Sequence, residues 1–289
     1  YVDALPELVN TETKRIHTNF SQHTAATGRL ASSNPNLQNI PIRSENGKLI
    51  RKAFITTPGN LLLTADYSQV ELRLLAHFSN DQTMVTAFNN NVDIHAQTAA
   101  EVTGSPVDKI SSSERSKAKA VNFGLMYGQS SFGLSKALKI SRSEAKEYIT
   151  NYFRRFSKVK SYLDELKEIA EDKGYSETYH GRKRFLPDIK SNNRTIKSQA
   201  ERVAVNSPIQ GTAADIIKLA MINIDKKIIE KNLNSKMLIQ VHDELIFDVP
   251  ENEFEMMKTL VREEMENVVK LRIPLTVDVG FGVNWFDIK

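Results

Sequence analysis

The sequence predicts an α+β fold in which strands near the two ends of the chain are separated by a long helical insertion. Three observations predict it. A short apolar run, Leu61–Ala65, follows the turn signal Pro58-Gly59, as a buried strand does. Two β-rich runs, Met237–Val241 and Leu245–Val249, flank His242-Asp243-Glu244, which reads as a hairpin with charged residues at its tip. Between them, from Asp93 to about Asn232, the pattern is mostly helical. At 289 residues the chain is about twice the ~150 allotted to one domain, so two domains or one large one are expected.

The elements follow in order. Tyr1 starts in mid-pattern, so the chain is expected to be a fragment of a longer one. Thr27–Pro41 is rich in Ser, Asn, Gly and Pro and reads as loop. The strand at Leu61–Ala65 meets Asp66-Tyr67-Ser68, after which Val70–Ala76 takes helical spacing. Ser141 with Glu144 forms a capping box, followed by Tyr148, Ile149, Tyr152, Phe153 and Phe156 on one side of a helix. Another helix runs from Ser157 to a stop at Gly174. Pro208 is placed in the first turn of a long helix through Ile216, Ile217, Ala220, Ile224 and Ile228. A helix over Phe254–Val269 and a strand over Leu275–Val279 close the chain.

Composition narrows the chemistry. With no cysteine there is no disulfide framework, thiolate metal site or cysteine nucleophile. No apolar run approaches the ~18 residues of a membrane span, and no membrane partner is expected. The net charge of +4 is mild but uneven. Residues 105–200 carry twenty Lys/Arg against eleven Asp/Glu. A basic middle with more acidic flanks suits nucleic acid or nucleotide phosphate beside carboxylate chemistry. A solvated basic surface would give the same count.

Asp66 and Asp243 each stand where a strand ends. If those strands are neighbours, the two carboxylates converge at the sheet rim. There they could bridge two Mg²⁺ ions ~3.5–4 Å apart for phosphoryl transfer. Either aspartate alone is equally explained as a turn former. Arg115, Lys119, Phe123 and Tyr127 recur every four residues and form one slanting helical stripe. Its cations suit a triphosphate and its rings a sugar and base. Gly124 and Gly128 leave room for a close-packed ligand or a bend. A second stripe, Arg202, Asn206 and Gln210, could reach the minor-groove acceptors that all Watson–Crick pairs share. The alternatives are an amphipathic helix for the first stripe and a solvated polar face for the second.

These residues also carry a resemblance. Asp66–Arg73 (DYSQVELR) resembles motif A of the family A DNA polymerases, Arg115–Gly128 (RSKAKAVNFGLMYG) their motif B, and Gln240–Glu244 (QVHDE) their motif C. TGRLASSNPNLQNIP, Asp93-Ile94-His95, GRKRFLPDI and NSPIQGTAADIIK match as well, in family order over essentially the whole chain. Ser157-Lys158 stands where many relatives have Pro-Gly.

The resemblance implies a right-hand polymerase. Its palm, an antiparallel sheet backed by helices, would occupy residues 1–72 and 191–289, with mostly helical fingers over 73–190. The thumb and an exonuclease-like domain would lie upstream in the parent chain. Asp66, Asp243 and the Tyr67 carbonyl would hold two Mg²⁺ ions, with Glu244 an accessory acid beside them. Gln69, Glu71, His95, Arg115, Lys119, Phe123 and Tyr127 would bind the dNTP. Within that set Lys119 would be the proton donor to pyrophosphate, and Glu71 with Tyr127 the steric gate against a ribose 2′-OH. Phe123 in place of Tyr implies discrimination against dideoxynucleotides. Arg29, Arg202, Asn206, Gln210 and His242 would contact primer–template DNA. The implied activity is DNA-templated DNA synthesis for replication or repair, in the cytoplasm at the nucleoid. A single-subunit RNA polymerase is disfavoured by Glu71, and a non-catalytic nucleic-acid-binding remnant by retention of both aspartates.

Overall fold

The computed structural model describes residues 1–42 and 44–288. In chain order its elements begin with α1 (Ala4–Glu7), β1 (Asn19–Ser21), β2 (Ala31–Ser33), α2 (Glu45–Leu49) and β3 (Asn60–Tyr67). Helices α3 (Val70–Ser79), α4 (Gln82–Asn89), α5 (Ile94–Thr103), α6 (Ser112–Met126), α7 (Ser131–Leu138), α8 (Arg142–Arg155) and α9 (Ser157–Lys173) follow. Then come β4 (Tyr175–Glu177), β5 (Lys183–Phe185), α10 (Arg194–Glu230), β6 (Lys236–Val241), β7 (Glu244–Pro250), α11 (Phe254–Glu266) and β8 (Val277–Gly282). Two compact units form: Tyr1–Ser68 with Ala214–Val269 and Leu275–Lys289, and Gln69–Ala213 with Lys270–Pro274. Among the described residues no helix is long and apolar enough to cross a membrane.

The first unit is built on an antiparallel sheet of order β6-β7-β3-β8. Side chains alternate between its faces. Leu63 and Ala65 of β3 lie opposite Phe247 and Leu245 of β7, and Tyr67 lies opposite Val277 of β8; all are buried. Helix α11 packs against these strands, burying Met257, Leu260, Val261 and Met265. Tyr67 donates its hydroxyl proton to the Met265 carbonyl at 2.7 Å, tying the end of β3 to α11. On the other face Leu62 and Ile246 join Leu5, Leu37, Ile40, Val241 and Trp285 in an apolar cluster.

The second unit is helical, with one short hairpin, β4–β5, within the stretch the sequence reads as mostly helical. Gly174, in the left-handed region, ends α9 and turns the chain into β4. The core takes Leu72, Leu74 and Leu75 from α3, Leu125 and Met126 from α6, and Tyr152 and Phe156 from α8 and its C-cap. Arg73 is buried among them, with its guanidinium 4.8 Å from the Phe88 ring centroid and Nη1 donating to the Pro274 carbonyl at 2.7 Å. The Arg272 amide donates to Nδ1 of His77 at 3.1 Å, so 270–274 is strapped onto α3.

Several boundaries differ from expectation. Pro208 does not start a helix; it lies inside the 37-residue α10. Having no N–H, it leaves the Ala204 carbonyl without its helical donor. Flanking hydroxyls close their own bonds across this turn, Ser207 to the Val203 carbonyl at 2.7 Å and Thr212 to the Pro208 carbonyl at 2.6 Å. Thr27–Pro41 contains β2 and a 3-10 turn at Leu37–Asn39. Helix α11 stops at Glu266, where the Asn267 amide and side chain both donate to the Glu263 carbonyl. The last strand begins at Val277 and runs to Gly282.

Asp248 is a buried charge on β7. It accepts from the hydroxyls of Thr56 (2.7 Å) and Thr57 (2.5 Å) and from the Asn60 amide (2.9 Å), with Arg15 at 3.4 Å. Burial alone would raise its carboxyl, but the bonds from Thr57, Thr56 and Asn60 outweigh it and hold it below the ordinary value. Removing a buried, hydrogen-bonded charge strands its partners, so Asp248→Ala should cost about 3 kcal/mol in denaturant unfolding. The stabilisation is present above ~4, where an unfolded Asp is ionised, and is lost as pH falls through the lower folded value. Acidification should therefore narrow the gap between wild type and variant.

Candidate active site

In the first unit, the strand register creates a row of carboxylates. Asp66 lies directly opposite Glu244 of β7 on one side and Asp278 of β8 on the other. Directly paired residues project from the same face. Asp243 occupies the two-residue turn between β6 and β7, and its carbonyl accepts from the Tyr67 amide at 3.2 Å. On the far side the Ser68 amide donates to the Thr276 carbonyl at 2.9 Å, so the end of β3 is held from both neighbours.

That turn is braced from the Thr27–Pro41 loop. Gln38 donates to both the side-chain and main-chain oxygens of Gln240, at 3.0 and 3.1 Å. Gln240, which is buried, donates in turn to the His242 carbonyl. His242 takes φ +59, a left-handed conformation that the tight turn requires. Glu244 is not at the tip but is the first residue of β7. Arg51 and Trp285 sit beside it, the guanidinium 4.1 Å from the indole centroid.

Crowding sets the electrostatics. Burial, then the charges of Asp243, Glu244 and Asp278, push Asp66 up to about 7. Burial also raises Asp243, against the pull of His242 and Arg29, and raises Glu244, against Arg51 and Trp285. Asp66 stays open to solvent on one side, which screens the repulsion. Arg29 and His242 thus lie near enough to Asp243 to act on its charge.

In the second unit, Arg115, Lys119 and Phe123 lie on α6 and Tyr127 is its C-cap. The helix opens with a capping box, Ser111 with Glu114. Arg115 and Lys119 are exposed, and Phe123 packs 6.3 Å from Tyr127 and 5.9 Å from His95. Arg115 Nε donates to Asp93, the N-cap of α5, at 2.5 Å. His95 is 2% exposed; burial, with Arg115 and Lys119, lowers it to about 4 despite Asp93. It is a neutral imidazole at pH 7. Tyr127 donates its hydroxyl proton to the carboxylate of buried Glu71. Gln69 is the left-handed N-cap of α3. Arg202, Asn206 and Gln210 share α10 around Pro208, and Asn206 Oδ1 is buried without a partner.

The room at Gly124 is taken by the protein itself. A β-carbon there would meet Gln129 Oε1 at 2.2 Å, and one at Gly133 would meet Gln129 Cγ at 2.8 Å. The Gln129 side chain therefore lies in a slot between the two glycines. Gly128, at φ +67, turns the chain out of α6.

Sequence reasoning missed Asp278, Gln38 and Gln240. Asp278 had a signal, an acid alternating with apolar residues in a terminal strand, but only the register reveals that it faces Asp66. An aspartate raised from ~4 to about 7 destabilises the folded state progressively as pH rises through that interval. In metal-free buffer Asp66→Asn should therefore melt above wild type at pH 8, with the difference shrinking toward pH 4. A lower melting midpoint for the variant at pH 8 would contradict the crowding.

The sequence model described as DNA polymerase family A matches residues 1–287. The chain is 53% identical over 289 residues to DNA polymerase I of Caldicellulosiruptor bescii, covering all of this chain and 34% of that protein. It is 50% identical to DNA polymerase I of Streptococcus pneumoniae, covering 33% of that relative. It thus spans about a third of the length of these curated relatives. A solved structure, the POL domain of Pol1 from M. smegmatis in complex with DNA primer-template and dNTP, superposes with a TM-score of 0.96 at 48% identity. The match covers 99% of this chain and 50% of that one. The chain therefore belongs to DNA polymerase family A.

Proposed function

We propose that the chain carries out DNA-templated DNA synthesis, transferring a deoxynucleotidyl group from a dNTP to a primer 3′-hydroxyl with two Mg²⁺ ions. The observation that carries this reading is the carboxylate row, Asp66 between Glu244 and Asp278 with Asp243 in the adjoining turn. The donor set fits the metal. It is all hard oxygen, and like charges so close favour a bound cation. Among the described residues no three such groups converge tightly enough to hold an ion unaided. Mg²⁺ does not need that, since it keeps waters and shares one or two carboxylates with substrate phosphates.

Asp66, Asp243 and the Tyr67 carbonyl would hold the ions. Bound there, Mg²⁺ would supply the charge that activates the 3′-hydroxyl and stabilises departing pyrophosphate. Glu244 is the accessory acid, with Arg51 and Trp285 beside it. Arg115 and Lys119 take the triphosphate oxygens, and Lys119 gives a proton to the leaving group. Arg115 already spends Nε on Asp93, leaving its terminal nitrogens for phosphate. Phe123 and Tyr127 pack on sugar and base, His95 and Gln69 complete the nucleotide contacts, and Glu71 held by Tyr127 excludes the 2′-OH. Arg29, Arg202, Asn206, Gln210 and His242 contact primer–template DNA.

On this reading residues 1–72 and 191–289 are palm and 73–190 fingers. The thumb and exonuclease-like part of the parent chain would be its partners, and the enzyme would work in the cytoplasm at the nucleoid. Such a segment alone should bind DNA weakly.

Primer extension with Mg²⁺ tests the reading. Asp66→Asn and Asp243→Asn should each lower incorporation about 10³-fold, the equivalent of several kcal/mol of transition-state charge stabilisation. Extension at the wild-type rate by either variant would refute it. Glu71→Ala should admit ribonucleotides; wild-type incorporation of NTPs as readily as dNTPs would favour an RNA polymerase instead.

A further inference from the structure

One carboxylate joins the start of α5 to the basic end of α6. Asp93 Oδ1 accepts from the backbone amides of His95 at 2.9 Å and Ala96 at 3.1 Å, which caps α5. The other oxygen, Oδ2, accepts from Arg115 Nε at 2.5 Å. Burial raises the carboxyl, but the bonds from Arg115, Ala96 and His95 outweigh it and hold it below the ordinary value. Asp93 is therefore charged at pH 7.

The side chains of Arg115 and Asp93 are 46% and 38% exposed. A surface pair of that kind adds little stability, because two mobile side chains must be immobilised for one contact. Here one partner is already fixed. Asp93 is short, and two backbone donors pin its Oδ1, so only Arg115 has freedom to lose. The guanidinium is gripped at Nε, which leaves both terminal nitrogens for an anion. His95 hangs from the same carboxylate through its own amide, so one group sets the place of both residues.

We propose that Asp93 is a positioning residue for the nucleotide triphosphate, holding Arg115 by Nε so that its terminal nitrogens meet the phosphates in one fixed orientation. A guanidinium held in advance gives up less rotamer freedom when the phosphate arrives. A carboxylate that merely competed with phosphate would occupy the terminal nitrogens, and Asp93 does not. The triphosphate as ligand rests on the polymerase reading; the grip on Nε does not.

Asp93→Asn separates the two jobs, since asparagine caps a helix about as well as aspartate. The amides of His95 and Ala96 can only donate and keep its oxygen, so its NH₂ group must face Arg115 Nε, donor against donor. Spectra of the ¹⁵N-arginine chain, with Arg115 assigned through Arg115→Met, should show an Nε–H protected from exchange in wild type and unprotected in Asp93→Asn. A wild-type Nε–H that exchanges as fast as that of a free arginine would overturn the grip, whatever the chain's activity. In primer extension Asp93→Asn should raise KM for dNTP about fivefold with kcat nearly unchanged, and should have no further effect in an Arg115→Met background. Removing an anion near the phosphates would by itself lower KM. An equal or lower KM therefore refutes the positioning role, as does a full fivefold rise in the Arg115→Met background. A wild-type chain with a protected Nε–H that extends no primer would fail the polymerase reading, and the nucleotide role with it, while the grip stood.

Discussion

Repulsion among carboxylates on one sheet is the constraint around which the first unit is arranged. The β3–β7 and β3–β8 registers force Asp66 to face Glu244 and Asp278 at once. A one-residue slip of either neighbour would turn the acids to the opposite face and their apolar neighbours outward. The register is in turn fixed by Leu63, Ala65 and Tyr67, which are buried against Phe247, Leu245 and Val277. Hydrophobic burial on one face thus supports electrostatic strain on the other, and the strain is of the kind a cation relieves.

Around that row the structure spends polar residues on holding backbone in place. Gln38 and Gln240 carry no charge, yet they brace the left-handed turn from which Asp243 projects. In the second unit uncharged groups also meet the site residues, Asn122 beside the His95 ring and Tyr127 on Glu71.

Much of this was legible in the sequence, for physical reasons. Asp66 and Asp243 stand beside strong β patterns, and the four-residue spacing of Arg115, Lys119, Phe123 and Tyr127 is a geometric statement about one helix face. What escaped were properties of pairing and context. Asp278 is one acid in a terminal strand until its partner is known. Pro208 carries a local preference for a first turn, but the helix continues through it because burial of Ala204, Val205, Ile209 and Ile216 on either side outweighs one lost hydrogen bond. The apparent vacancy at Gly124 could not be distinguished from a ligand site without seeing Gln129.

That last feature constrains how the sequence can drift. With Oε1 of Gln129 only 2.2 Å from where a β-carbon at 124 would lie, and Cγ 2.8 Å from one at 133, the three positions share one volume. Alanine at either glycine displaces the long side chain, while a short residue at 129 empties the slot. At 124 the clash is with the mobile end of Gln129, which can swing aside; at 133 it is with Cγ, nearer the backbone and harder to move. The corner between α6 and α7 thus tolerates added bulk unequally at its two glycines, although both face the same glutamine.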